Sequence, residues 1–195
     1  MKFLLTSVYS KIGDKLLSII NDKPENITIA FVATAADVYE DKWFVDSDRD
    51  KLREQGFKTK EIILYSKNAE QLEKEISNCS VIFVAGGNVF YLLQEVRKSG
   101  FDIVMDRFLD KDIIYVGSSA GSMLVGPNIE LANELDDPDK APELKDYTGL
   151  NLIDFIVLPH YGTPKREKKY QKIMDKAASL SFKTKTLKDD EYVLV

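Results

Sequence analysis

Two kinds of apolar pattern alternate along this chain. Short, almost unbroken apolar runs occupy residues 2–6, 26–35, 59–65, 81–85, 113–116, 155–158, 183–187 and 192–195. Their length and their wealth of Ile, Val and Phe predict buried β-strands. Between them, apolar residues recur at helical spacing over 11–21, 37–55, 69–76, 89–98, 102–109 and 165–180, which predicts amphipathic helices. Gly56 and Gly100 stand where two of these helices should stop. Strand and helix in alternation predict an α/β fold: a three-layer, doubly wound, mostly parallel sheet with helices on both faces. Residues 130–148 break the pattern; they are acidic and rich in turn formers, and are expected to form a loop across the mouth of a site. The chain stops inside an apolar run, so its last strand is expected to be short.

At 195 residues the chain is expected to fold as one domain spanning 1–195, long enough to bury a substantial core. Composition is that of an ordinary globular protein, and the net charge of −5 leaves no basic excess for nucleic acid. One cysteine, Cys79, rules out an internal disulfide and fits a reducing compartment. The first residues are too short an apolar run for a signal sequence, and no run approaches a membrane span. A cytoplasmic protein with neither nucleic-acid nor membrane partners is expected. One cysteine and one histidine leave no zinc cluster, and neither a Walker pattern nor G-x-G-x-x-G is present. No metal or other cofactor is therefore expected.

In a parallel sheet, function collects at the carboxyl ends of the strands. Two glycine turns fall there, Gly86-Gly87-Asn88 and Gly117-Ser118-Ser119-Ala120-Gly121. The second is a G-x-S-x-G between a strand and a short helix, the context of a nucleophile elbow. It would push Ser119 out above the sheet and aim the Ala120 N–H at a developing oxyanion. The plainer alternative is a small-residue turn. A serine nucleophile needs a base, and the chain holds one histidine, His160, just past a predicted strand. A turn-packing role is the alternative for it. The base needs a carboxylate, and the 130–148 loop offers Glu130, Glu134, Asp136, Asp137 and Asp139, among which spacing does not choose. The Gly86-Gly87-Asn88 turn opens a helix and would supply the second oxyanion N–H.

The segments FVAGGNVFYLLQEV, YVGSSAGSMLVGPNI, LANE and VLPHYG, in this order and spacing, resemble the peptidase E (aspartyl dipeptidase) and cyanophycinase family of serine peptidases. The likeness runs from the first strand to the ending LKDDEYVLV. It implies a flavodoxin-like domain of the class I glutamine amidotransferase type, with serine in place of the amidotransferase cysteine. It also implies Ser119 as nucleophile, His160 as general base, and Gly87 and Ala120 as oxyanion donors. The family's third member is an Asp in a TND stretch, which falls here on Glu134 of ANE. An ionised Glu134 beside His160 would raise its pKa to 6.5 or above. Peptidase E cleaves dipeptides with N-terminal Asp, so a cation is expected for the substrate carboxylate. Arg166 is the best-placed one, with Asn88 as a further substrate contact, and an acid of the loop is expected to hold the free amine. The expected partner is a small peptide, and the resemblance is compatible with a homodimer. An esterase using the same Ser-His pair and a non-catalytic binding protein on the same fold are the competing readings.

Overall fold

Side-chain alternation in the first strand sets up the two faces of the fold. In β1 (Lys2–Thr6), Phe3 and Leu5 join one core and Leu4 the other. β2 (Thr28–Val32) does the same with Ala30 and Val32 against Ile29 and Phe31. β4 (Val81–Val84) repeats it with Ile82 and Val84 against Val81 and Phe83. With β3 (Lys58–Glu61), β5 (Ile114–Ser118) and β8 (Tyr192–Leu194) these strands make a six-stranded sheet in the order β3-β2-β4-β5-β1-β8. Every pairing in it is parallel except β1 with β8. The structure, a computed structural model, describes residues 1–180 and 182–195.

One face is covered by α1 (Trp43–Glu54), through Val45 and Leu52, and by the segment that carries Tyr9, Ile12 and Leu16. The other is covered by α2 (Ala69–Ile76), α3 (Val89–Ser99), α4 (Phe101–Phe108) and α5 (Ala120–Leu124). Helices thus lie on both faces of a mostly parallel sheet, the predicted fold class. The remaining strands, β6 (Ile156–Pro159) and β7 (Thr184–Leu187), pair in parallel as a separate two-stranded sheet, joined by α6 (Glu167–Ser179). His160 therefore follows a strand of the smaller sheet, while the elbow follows β5 of the larger one.

Three elements differ from the periodicity. Residues 11–21 form no α-helix; two 3-10 turns, Tyr9–Lys11 and Leu16–Ser18, flank Gly13, whose φ of 66° interrupts any helical run. The segment is pinned by side chains instead, with the Tyr9 hydroxyl donating to Gln55 Oε1 at 2.6 Å. The helix expected from residue 37 begins at Trp43, after a 3-10 turn at Thr34–Ala36. The strand expected over 59–65 is Lys58–Glu61, an exposed and charged edge strand, and Ile62 and Leu64 enter the core beyond it. Among the described residues no helix is long and apolar enough to cross a membrane.

Candidate active site

The elbow forms because the sheet leaves no room for ordinary side chains beneath it. A Cβ on Gly121 would lie 2.0 Å from the Val84 carbonyl oxygen, so only glycine lets α5 start this close to β4. Ser119 itself takes φ 50°, ψ −107°, a conformation rarely found outside glycine. It is held there by its own N–H, which donates to the Thr6 carbonyl at 3.1 Å, and by its carbonyl, which accepts from Ser122 N–H and Met123 N–H. The buried Ser122 hydroxyl accepts from Thr6 N–H at 2.8 Å and locks α5 to β1.

Ser119 Oγ lies 2.9 Å from His160 Nε2, and His160 Nδ1 lies 2.8 Å from Asp189 Oδ1. His160 adopts a positive φ of 66°, and its N–H donates to the buried Ser7 hydroxyl at 2.7 Å. Its carbonyl accepts from the Thr163 hydroxyl, and the Tyr170 hydroxyl donates to the Pro159 carbonyl just before it. Asp189 accepts a second bond on Oδ2 from Lys11 Nζ, at 2.8 Å. Burial pushes the Asp189 carboxyl up, but the hydrogen bonds from Lys11 and His160 outweigh it and hold the group below the ordinary carboxylate value. An ionised Asp189 only accepts, so Nδ1 carries the proton and Nε2 is left free to accept from the Ser119 hydroxyl. Desolvation and then the nearby Arg166 charge lower the His160 pKa from 6.5, against the opposing pull of Asp189. The expectation that its pKa would be raised needs correction: burial outweighs the carboxylate.

The acid on the imidazole is therefore not Glu134. Glu134 sits at the end of a 3-10 turn, Glu130–Glu134, and faces Lys172 of α6 at 3.5 Å. That turn places its carboxylate against α6 rather than at the imidazole. Of the other loop acids, Asp136 reaches the site. Its Oδ2 accepts from Val89 N–H at 2.9 Å, at the start of α3. Burial pushes that carboxyl up to about 6, opposed by Val89 N–H, Arg166 and Lys169. Asn88, expected to touch substrate, is fully buried and caps α3: its side chain accepts from Tyr91 N–H at 2.9 Å and donates to the Asp137 carbonyl at 2.8 Å. Both bonds turn it away from the cavity, because the first turn of α3 needs its cap.

Ala120 follows the nucleophile in the chain and Gly87 lies in the turn after β4; among the described residues neither N–H is taken by another group. Gly87 lines a cavity of about 520 Å³ that also holds Ser119, His160, Asp136, Arg166 and Asp189. That volume suits a small ligand. Among the described residues Arg166 is in no ion pair, and no cluster of His, Cys, Asp and Glu could hold a metal ion.

The model of peptidase family S51 matches residues 4–195. The chain belongs to this family. It is a serine-type peptidase of the peptidase E kind, as its motifs led us to expect. It is similar to an uncharacterized peptidase of Pasteurella multocida (strain Pm70), with 34% identity over 174 residues, 89% of this chain and 84% of that protein. An uncharacterized peptidase of Listeria innocua shares 32% over 86% of this chain and 80% of its own. Peptidase E of Escherichia coli shares 31% over 86 residues, 44% of this chain and 36% of that one. A crystal structure of a protein assigned to peptidase E from Listeria monocytogenes EGD-e superposes with a TM-score of 0.91 at 26% identity, covering 100% of this chain and 93% of that one. The family match, over residues 4–195, spans both the elbow and the His160 loop.

Proposed function

We propose that this S51 peptidase hydrolyses short peptides of dipeptide size through an acyl-enzyme, with Ser119 as nucleophile, His160 as general base and Asp189 as the orienting acid. The observation that carries the reading is the hydrogen-bonded chain Ser119–His160–Asp189, at 2.9 and 2.8 Å. Ser119 Oγ attacks the scissile carbonyl while Nε2 takes its proton, and Asp189 stabilises the imidazolium that forms. The oxyanion is received by the N–H groups of Gly87 and Ala120. His160 then gives its proton to the leaving amine, and water enters by the same base to release the acyl group.

A cavity of about 520 Å³ favours small substrates over folded chains. The unpaired Arg166 at its wall supports a substrate carboxylate there, either the C-terminus of the leaving residue or the side chain of an N-terminal Asp. Peptides Asp-X, their neutral counterparts, and C-terminal amides of both separate the two. Reactivity of Ser119 tests the reading itself: a fluorophosphonate probe should label the wild-type chain and not Ser119→Ala. Peptide turnover should be lost in that variant, and unchanged hydrolysis would sink the mechanism.

A further inference from the structure

Asp48 is a carboxylate that the reaction above does not use. It lies on α1, is 2% exposed, and yet lines the same cavity as Ser119. Its Oδ1 accepts from Ser10 N–H at 2.9 Å, and the hydroxyls of Ser118 and Ser10 also act on it. Burial pushes it up to about 6 and these hydrogen bonds only partly offset that. The other two acids of the cavity have counter-charges: Asp189 has Lys11 and His160, and Asp136 has Arg166 and Lys169 nearby. Among the described residues no Lys or Arg pairs with Asp48 and none contributes to holding its charge. A buried carboxylate without a cation is unusual and costly.

The wall beside it is aromatic. Phe44 stands edge-on to Trp43 at 5.9 Å and to Tyr39 at 6.0 Å, and all three rings line the cavity. Trp43 is 66% exposed, an unusual position for the one tryptophan of the chain. Phe44 and the nucleophile both border Gly86: a Cβ built there would be 3.2 Å from Ser119 Cβ and 3.9 Å from Phe44 Cδ2. An organic cation is attracted both by a carboxylate and by ring faces. Acidic side chains would be repelled by the same carboxylate.

We propose that Asp48, Phe44 and Trp43 form a subsite beside the nucleophile that binds an ammonium group of the substrate. Two sources share this chemistry, the α-ammonium of a peptide N-terminus and the side-chain ammonium of a lysine. The inference rests on the serine-peptidase reading.

The test compares kcat/KM for the p-nitroanilides of Leu, Nα-acetyl-Leu, Lys and Nα-acetyl-Lys, with p-nitrophenyl acetate as a substrate that carries no ammonium. A charge-assisted bond of this kind should favour the ammonium-bearing anilide by about tenfold or more. If the α-ammonium is bound, acetylation of Leu loses that factor. If the lysine side chain is bound, Nα-acetyl-Lys keeps it over Nα-acetyl-Leu. In Asp48→Asn the discrimination should collapse, and in Trp43→Ala, an exposed position that does not threaten folding, it should fall several-fold. Equal turnover of all four anilides, or discrimination that survives both variants, would overturn the subsite while leaving the peptidase reading intact. Absence of Ser119-dependent hydrolysis of p-nitrophenyl acetate and of every anilide would instead overturn the reading, and the subsite with it.

Discussion

His160 and Asp189, 29 residues apart, meet because β6 and β7 run in parallel with Pro159 opposite Leu187. One residue past the first strand end stands the imidazole, and two past the second stands the carboxylate. The next backbone bond, Tyr161 N–H to the Leu187 carbonyl at 2.9 Å, continues the register across the two loops. Both side chains leave the same end of the small sheet, and Ser119 arrives from the large one.

Asp189→Asn should therefore cost about 10⁴-fold in kcat/KM, the usual penalty for losing the orienting acid of such a chain. Glu134→Gln should stay near wild type, because its carboxylate faces Lys172 at 3.5 Å on the surface. Steady-state hydrolysis of one dipeptide by the two variants separates the assignments. The reverse ranking would return the role to Glu134.

The layout was legible wherever a pattern is local. Continuous apolar runs marked β2, β4 and β5, and the G-x-S-x-G between strand and helix marked Ser119. Being the one histidine marked His160. Asp189 was not legible, because it stands among Asp190 and Glu191 in an exposed polar turn, and only the pairing of β6 with β7 distinguishes it. A second strand running parallel to the histidine strand was the available signal: an acid just past its end is carried to the imidazole. Asn88 misled for a related reason. The same side chain that could reach into a cavity is also a preferred helix cap, and the first turn of α3 claims it. Asp48 was hidden in the polar run of α1, where burial of one carboxylate comes from packing against Ser10 and Ser118, far away in sequence.

The pH dependence follows from the burial of His160. Its general-base form is the neutral imidazole, present above its pKa. Desolvation and Arg166 lower that pKa, so the rising limb of kcat/KM should lie below the ordinary value of about 6.5. Asp189→Asn removes the group that favours the imidazolium and should move the imidazole titration lower still. Arg166→Gln removes a repelling charge and should move it higher. With one histidine in the chain, the ring-proton NMR titration gives one curve to compare with the kinetics. An imidazole that titrates at or above 6.5 would contradict the burial argument.

Ser122 is a neighbour of the nucleophile with a different task. Its buried hydroxyl accepts from Thr6 N–H and donates to the carbonyl of Thr6 or Gly117, each at 2.8 Å. Ser122→Ala leaves the Thr6 N–H buried without a partner, which costs about 1–3 kcal/mol. Urea unfolding should show a lower midpoint with an unchanged slope. Ser119→Ala should show no comparable loss, since its hydroxyl bonds only to the imidazole.

The sharpest prediction on the oxyanion site concerns Gly87. Its φ of 145° lies in a region that side chains rarely adopt, and an added Cβ would stand 2.2 Å from the Ala35 carbonyl oxygen. That oxygen already accepts from Asn88 N–H at 2.8 Å, so the turn cannot simply slide away from it. Gly87→Ala must rotate the turn, and with it the N–H that is proposed to meet the developing oxyanion. Loss of one such donor costs about 10²–10³-fold in kcat. Because the donor acts on charge that exists only in the transition state, kcat and kcat/KM should fall together, with KM little changed. The adjacent Gly86→Ala serves as comparison: its nearest contact is the Ser119 Cβ at 3.2 Å, and Gly86 carries no positive φ. It should crowd the nucleophile without turning the Gly87 N–H. Thermal unfolding of both variants separates a misaligned donor from a damaged fold. A Gly87→Ala enzyme that keeps wild-type kcat despite a lowered Tm would remove this N–H from the oxyanion site.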